Sequence, residues 1–589
     1  MIQGIGASAG IAIGKAFVLP NWEWDVPEQK IDVTDLAKEF DRLYEGIKTS
    51  KDEIEQMKGE LREVVGTAES HIFDAHLAIL DDPIFMNEVQ GIIQRQYKAA
   101  EVAVKEAIDH FVTMFDLLDD EYMKERALDI KDVGNRLLKH LLGAPEITLP
   151  TDTQPFILVA KELSPSQLAH LNPSHVLGIV TLAGSTTSHS AIMARALGIP
   201  LVVGVEGKLI EPIQTGDSLI IDGAKGEMLV RPSKLVTDRY KMRRSSQLEE
   251  KKKLHRFVGV KPVTPDGKTI ELAANISSLK ELEVALRAGA VEVGLFRTEF
   301  LYMDRHSFPS EQEQFEVYKA VAQKLDSHPV IIRTLDIGGD KQLDYFEIPE
   351  EDNPFLGYRA IRISLDRQDL FKTQLRAVLR ASHYGHVKLM FPLISSVEEV
   401  QKAKKVLEEA KQELRQENLP FNENIEVGVM IEVPAAVLIA DLLADEVDFF
   451  SIGTNDLVQF ALAVDRMNEQ IAHLYEPCHP AVLRLLKITV DAAKRKGIPV
   501  GVCGELAGDA RALPIWLGLD VDELSMSSYT ILQVKERLLR TNQEDSRRLL
   551  DDIMKCRTSQ EIYDQLETFN ANVDQLQQIP QAASPAQMD

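Results

Sequence analysis

At 589 residues the chain exceeds what one hydrophobic core organises, so three or four domains are expected. Hydrophobic residues make up 44% and charged residues 27%, as in an ordinary soluble globular protein, and the formal net charge of −26 excludes nucleic acid as a partner, since phosphate backbones need clustered Lys and Arg. Three cysteines (Cys478, Cys503 and Cys556) form no disulfide framework and fit a reducing cytoplasm.

The opening segment MIQGIGASAGIAIGKAFVLP is glycine-rich and lacks a basic leader, so it reads as strand and turn rather than a signal peptide. A short β hairpin is predicted over residues 1–20, within a first stretch of 1–30. No run approaches the roughly 18 apolar residues of a membrane span, so a cytoplasmic protein without membrane insertion is expected. From 31 to 145 the pattern turns helical, with heptad-like apolar spacing over 36–61 and further helical stretches at 70–80, 99–118 and 121–143. Four amphipathic segments with short connections predict a bundle. Residues 116–132 hold seven acids against three bases, which fits either a docking face or a solvated one.

Short strand-like runs resume over 146–232 (FILVAKEL, HVLGIVTLAG, IPLVVGV, DSLIIDG, GEMLVRP). They predict a compact α/β domain completed by the N-terminal strands, with the bundle inserted into it. Residues 233–260 read as a highly charged linker helix. Eight apolar runs then alternate with helical patterns over 261–573: 271–276, 293–297, 330–334, 388–392, 427–432, 449–453, 500–504 and 523–527. That alternation predicts a C-terminal parallel (β/α)8 barrel of the TIM type, in a multidomain α/β protein. Residues 574–589 lack apolar periodicity and read as a disordered tail.

Two places carry chemistry. In LAGSTTSHSAIMARALGIP, His189 follows a Gly/Ser/Thr turn and heads a helix, with Thr187 or Ser188 as N-cap. A helix N-terminus favours an anion, so a neutral imidazole there can attack phosphorus and leave the phosphate over the dipole. Arg195, within two turns, is available to help with charge. The plainer alternative is a histidine that only caps the helix.

The barrel supplies the second place. Arg297 and Arg333 end successive runs, where guanidinium groups grip phosphate or carboxylate through paired hydrogen bonds. Arg359 adds a third contact from the following loop. Glu432 and Asp456 are hard oxygen ligands at neighbouring strand tips and suit Mg²⁺, which recruits water and substrate oxygens. Asn455 and Arg466 flank them. Cys503 sits at a strand tip near Glu505 and Asp509, acids expected to raise its pKa and keep it a proton-donating thiol. Cys478 and Cys556 have no such context.

These segments together resemble the Enzyme I family of the bacterial phosphoenolpyruvate:sugar phosphotransferase system. The likeness spans nearly the whole chain: GASAGIAIGKA, ERALDIKDVGNRLL, TSHSAIMARALGIP, GLFRTEFLYMDR, RTLDIGGDK, NPFLGYRAIR, SIGTNDLVQFALAVDR, HPAVLRLL and CGELAGD, in that order. The resemblance implies that His189 is phosphorylated from phosphoenolpyruvate, releasing pyruvate. Arg297, Arg333, Asn455, Asp456, Arg466 and Arg359 would bind that substrate, Glu432 and Asp456 would hold Mg²⁺, and Cys503 would protonate the enolate. It further implies that the helical insertion docks the phosphocarrier HPr, and that the protein is a homodimer joined through its barrels. One departure stands out: Ser185 occupies a position where many relatives carry a second glycine before the histidine. Nucleotide-using relatives such as pyruvate phosphate dikinase share the histidine domain and barrel but need an ATP-binding domain, and no GxxxxGK[ST] loop occurs here.

Overall fold

The computed structural model describes residues 2–575, apart from 21–23, 25, 65–71, 117–120, 145–153, 170, 173, 185–187, 206–211, 304, 306, 340, 342, 344, 347, 350, 467 and 469. The chain forms two compact units, 1–249 and 250–589.

The first unit is built on an eight-stranded sheet. Its strands are β1 (Ile2–Gln3), β2 (Ile5–Ser8), β3 (Ile11–Val18), β4 (Phe156–Ala160), β5 (Val176–Thr181), β6 (Leu201–Val203), β7 (Ser218–Asp222) and β8 (Glu227–Val230). They lie in the order β1-β8-β7-β3-β4-β5-β6-β2. The hairpin predicted over 1–20 does not form. β3 pairs with β4 in parallel and with β7 antiparallel, while β2 pairs with β6. The reason is burial: Ile11, Ala12 and Ala16 of β3 are all covered, so this strand takes partners on both sides and leaves no edge for β2. Gly10, at φ +134, makes the left-handed turn that separates the two strands.

Among the described residues, five helices interrupt the sheet between β3 and β4: α1 (Leu36–Val64), α2 (Ile72–Asp81), α3 (Pro83–Gln96), α4 (Ala100–Asp116) and α5 (Glu121–Leu142). Four were expected, and α3 is the addition. Its start is signed by Asp82, whose carboxylate accepts from the Ile84 amide at 2.6 Å, with Pro83 in the first turn. α4 and α5 pack closely because Gly134 has no side chain; a Cβ there would lie 2.2 Å from Ile108 Cδ1. Phe156, Leu158 and Ile179 of the sheet share one apolar core with Val104 and Leu137 of the bundle. After β4 come α6 (Pro165–Ala169), α7 (His189–Leu197) and α8 (Lys234–His255). The charged helix α8 is anchored at its start, where buried Tyr240 donates to Glu227 Oε2 at 2.9 Å and Arg243 Nη1 lies 2.9 Å from Asp222 Oδ2.

The second unit is a closed, all-parallel barrel, as expected. Its strands are β9 (Glu271–Ile276), β10 (Glu292–Arg297), β11 (Val330–Arg333), β12 (Val387–Phe391), β13 (Val427–Ile431), β14 (Phe449–Gly453), β15 (Val500–Cys503) and β16 (Glu523–Met526). Every predicted run becomes a strand with ends shifted by at most one residue. Outward faces pack under the surrounding helices, and Leu295, Ile331, Met390, Met430, Phe449 and Cys503 form a separate inner cluster. The helix Val397–Gln416 begins in a capping box between Ser396 and Glu399. Among the described residues, no helix is long and apolar enough to cross a membrane. The last helix runs Ser559–Gln575, and the rest of the expected tail lies outside the described residues.

Candidate active site

A cavity of about 850 Å³ is lined by all eight barrel residues singled out from the sequence, from Arg297 to Cys503. Their placement follows from topology. Arg297, Arg333 and Cys503 are the last residues of β10, β11 and β15. Glu432 follows β13, and Asn455 and Asp456 open the helix Thr454–Leu462 after β14. Arg359 comes from the loop after β11, and Arg466 from the segment beyond that helix. Carboxyl ends of parallel barrel strands converge on one mouth.

The arginines are not bare. Arg333 Nη2 donates to Glu299 Oε1 at 2.8 Å, and its Nη1 lies 3.0 Å from Asp336 Oδ2. Arg359 donates through Nε to Asp336 Oδ1 at 2.9 Å and through Nη2 to Asp456 Oδ2 at 2.8 Å. Lys341 Nζ reaches Glu299 at 2.9 Å and Asp336 at 3.3 Å. Glu299, Asp336 and Lys341 were not picked out from the sequence. Their signal was the acid two residues after Arg297 and the acid three after Arg333, but only the fold aims both at the same cations. Burial alone would raise these carboxyls. Lys341, Arg359 and Arg333 outweigh it and hold Asp336 well below the usual carboxylate range, and Arg333 with Lys341 lowers Glu299. Arg297 differs, its guanidinium lying over the Phe300 ring at 5.5 Å.

The two carboxylates proposed as ligands share the cavity. Glu432 Oε1 accepts from the Leu393 amide at 2.6 Å, while Asp456 Oδ1 is buried without a hydrogen-bond partner among the described residues, 4.0 Å from Arg466 Nη2. Burial, with Asp456 and Asp336 nearby, pushes Glu432 up to about 8 against the pull of Arg333 and Arg359. Two clustered carboxylates, one with an orphaned oxygen, fit a divalent cation that takes its other ligands from water and substrate. Among the described residues there is no group of three or more His, Cys, Asp or Glu side chains able to hold a metal alone.

Burial pushes the Cys503 thiol up to about 12, with a further contribution from Glu432 and an opposing one from the Ser451 hydroxyl, which donates to Sγ at 3.3 Å. Glu505 and Asp509, the sequence neighbours expected to raise it, are not the cause. Cys503 is 2% exposed, and the loss of water does what adjacent acids were expected to do. Gly504 follows at φ +126, where a Cβ would lie 2.3 Å from Thr454 Oγ1.

His189 belongs to the other unit, as the first residue of α7 with Ser188 as N-cap. Thr187 and Ser185 lie outside the described residues. Arg195 is in the last turn of α7, with Nη1 3.4 Å from the Ala7 carbonyl. In the acidic run, Asp129 is buried 3.3 Å from His76 Nε2, and Asp132 accepts from the Ser166 amide at 3.0 Å. Those two acids hold the unit together instead of facing a partner. The side chains of 116–125 lie outside the described residues.

A parallel barrel that gathers arginines, carboxylates and a protonated thiol at its strand ends, with a helix-heading histidine on a second unit, defines an enzyme acting on a small anionic substrate. Residues 251–543 match the family described as "PEP-utilising enzyme, PEP-binding domain", 3–126 the "PEP-utilising enzyme, N-terminal" family, and 152–226 the "PEP-utilising enzyme, mobile domain" family. The phosphoenolpyruvate-protein phosphotransferase of Priestia megaterium is 46% identical over 95% of this chain and 97% of its own. That of Bacillus subtilis (strain 168) is 45% identical over 95% and 98%. The solution structure of an Enzyme I (nEIt) protein is 35% identical and covers 42% of this chain and 99% of its own, with a TM-score of 0.35. The chain belongs to the phosphoenolpyruvate-protein phosphotransferase family, and it is a transferase.

Proposed function

We propose that the protein phosphorylates itself on His189 from phosphoenolpyruvate, releases pyruvate, and passes the phosphoryl group to a histidine of HPr as the first, cytoplasmic step of sugar uptake. The observation that carries this reading is the set of donors left over in the barrel cavity. Arg297 Nε, Arg333 Nε and Arg359 Nη1 are buried and have no hydrogen-bond partner among the described residues. Buried donors without acceptors are costly, and a substrate carrying a carboxylate and a phosphate supplies acceptors for all of them.

The chemistry follows from the residues. Arg297, Arg333, Arg359, Asn455 and Arg466 orient the substrate and stabilise charge on the transferring oxygens. His189 attacks phosphorus, the N–P bond forms as the bridging P–O bond breaks, and the electron pair stays on the enolate oxygen. Cys503, protonated at neutral pH, gives its proton to the methylene carbon and yields pyruvate. Glu432 and Asp456 would hold Mg²⁺, which supplies positive charge at the phosphate and enolate oxygens. Because His189 and the cavity belong to different units, transfer is an encounter between units. The helical insertion, 31–145, is the proposed dock for HPr, and the barrel the proposed site of homodimerisation. Labelled phosphoenolpyruvate with Mg²⁺ is expected to leave acid-labile label on the wild type, which HPr then removes. Label persisting in His189→Ala would refute the assigned nucleophile.

A further inference from the structure

We propose that Asp336 and Glu299 are positioning residues of the anion site, presetting Arg333, Arg359 and Lys341 so that each arginine offers one nitrogen to the substrate. The inference rests on the reading of this cavity as the phosphoenolpyruvate site. A guanidinium group presents donors on three nitrogens in a rigid plane, so clamping two of them fixes the direction of the third. That is the arrangement at both residues. Arg333 has Nη2 on Glu299 and Nη1 beside Asp336, and only Nε is left. Arg359 has Nε on Asp336 and Nη2 on both Asp336 and Asp456, and only Nη1 is left.

An ion cluster serving stability alone would pair its buried donors. Here both carboxylates are 1% exposed, the cations around them are close-packed, and still one nitrogen per arginine lacks an acceptor among the described residues. The backbone supports the same purpose. Gly338 and Gly339, at φ +98 and +69, turn the chain after Asp336 so that Lys341 returns to it, and the Gly338 amide donates to the Lys341 carbonyl at 2.9 Å. A Cβ on Gly338 would sit 2.6 Å from the Tyr358 carbonyl, next to Arg359. The turn thus carries Lys341 and abuts Arg359 at once.

Asp336→Asn and Glu299→Gln separate geometry from charge. The first turns an amide donor against Arg359 in either orientation, and against Arg333 and Lys341 as well if it takes the place of Oδ2. The second keeps shape, because both donors to Glu299 share Oε1 and Oε2 has no partner. Phosphoenolpyruvate binding is measured by calorimetry with Mg²⁺, beside steady-state kinetics of pyruvate release. Asp336→Asn is expected to raise both the Kd and the KM for phosphoenolpyruvate by about tenfold, equivalent to ~1.4 kcal/mol, with kcat falling less than KM rises. Glu299→Gln is expected to raise both by about threefold, and it decides the matter if the asparagine variant does not fold. Unchanged Kd and KM in the folded variants, with only kcat or thermal stability lowered, would make the pair structural and overturn the proposal. A wild type that binds no phosphoenolpyruvate would instead overturn the functional reading, and this inference with it.

Discussion

Between the Ser451 hydroxyl at 3.3 Å and the Ile452 carbonyl at 3.6 Å, the Cys503 sulfur has little access to water. With its pKa pushed up to about 12, the thiol is expected to stay protonated across the physiological range. Thiolate absorbance of Cys503 should therefore stay silent below pH 10. Replacing Cys503 with Ala is expected to slow pyruvate release by about 10²-fold, the usual worth of a positioned general acid; unchanged turnover would remove the proton-donor role. At this scale the sequence was informative about which residues meet. A side chain at the end of a barrel strand has one place to go, so Arg297, Arg333 and Cys503 were legible from strand-end position alone. What stayed hidden was what surrounds them. Glu299 and Asp336 look like ordinary surface acids in the sequence although the fold buries both, and the cause of the thiol's shift lay in burial, which local sequence does not display.

Strands and helices were legible in proportion to how uniformly they are buried. The eight barrel strands read as short apolar runs because their outward faces meet helices and their inward faces meet one another. Helix α3 was missed because its Asp82-Pro83 start also reads as a turn signal, and the pairing of β3 was missed because local alternation cannot name a partner about 140 residues away. One element-level feature bears on stability. Glu292 opens β10 and Glu523 opens β16, and each has a buried carboxyl oxygen without a partner among the described residues. Gly294 makes room for the second, since a Cβ there would lie 2.2 Å from Glu523 Oε1. Burial, with Glu523 and Glu271 facing it and Lys388 opposing, pushes Glu292 up to about 8. Burial, opposed by Lys388 and aided by Glu271 and Asp522, pushes Glu523 up to about 7.

Unfolded carboxyls release their protons near 4.5, so between there and about 8 the folded barrel binds more protons than the unfolded chain. Its stability is therefore expected to fall as pH rises through that window, by up to about 1.4 kcal/mol per pH unit and group, and to level off above it. Glu523→Gln and Glu292→Gln should flatten the slope in denaturant unfolding between pH 5 and 8. An unaltered slope would locate the titration elsewhere.

For the molecule as a whole, the barrel exterior leaves Leu438 at 70% and Leu442 at 53% exposure, on helices that pack against the one carrying Ile488 at 41%. Large exposed apolar side chains on neighbouring packed helices are candidates for an association surface, and they support the proposed homodimer. Leu438→Glu with Leu442→Glu is expected to shift sedimentation from dimer to monomer at micromolar concentration while the barrel stays folded; a wild type that sediments as a monomer would refute the assignment. The division into inserted bundle, sheet and barrel was legible because composition changes at each junction.

The arrangement of β1 and β2 has one more consequence. These strands are separated by a single residue, yet they sit at opposite ends of the sheet order, so residues 2–8 join its two ends, pairing with β8 on one side and β6 on the other. They have no partners until β6 and β8 are made, some 200 residues later. The bundle can fold in the meantime, and the segment finds its place in the sheet only once β6 and β8 exist. Trimming those few amino acids would bare two rows of backbone donors and acceptors together, and precipitation during synthesis is the foreseeable result.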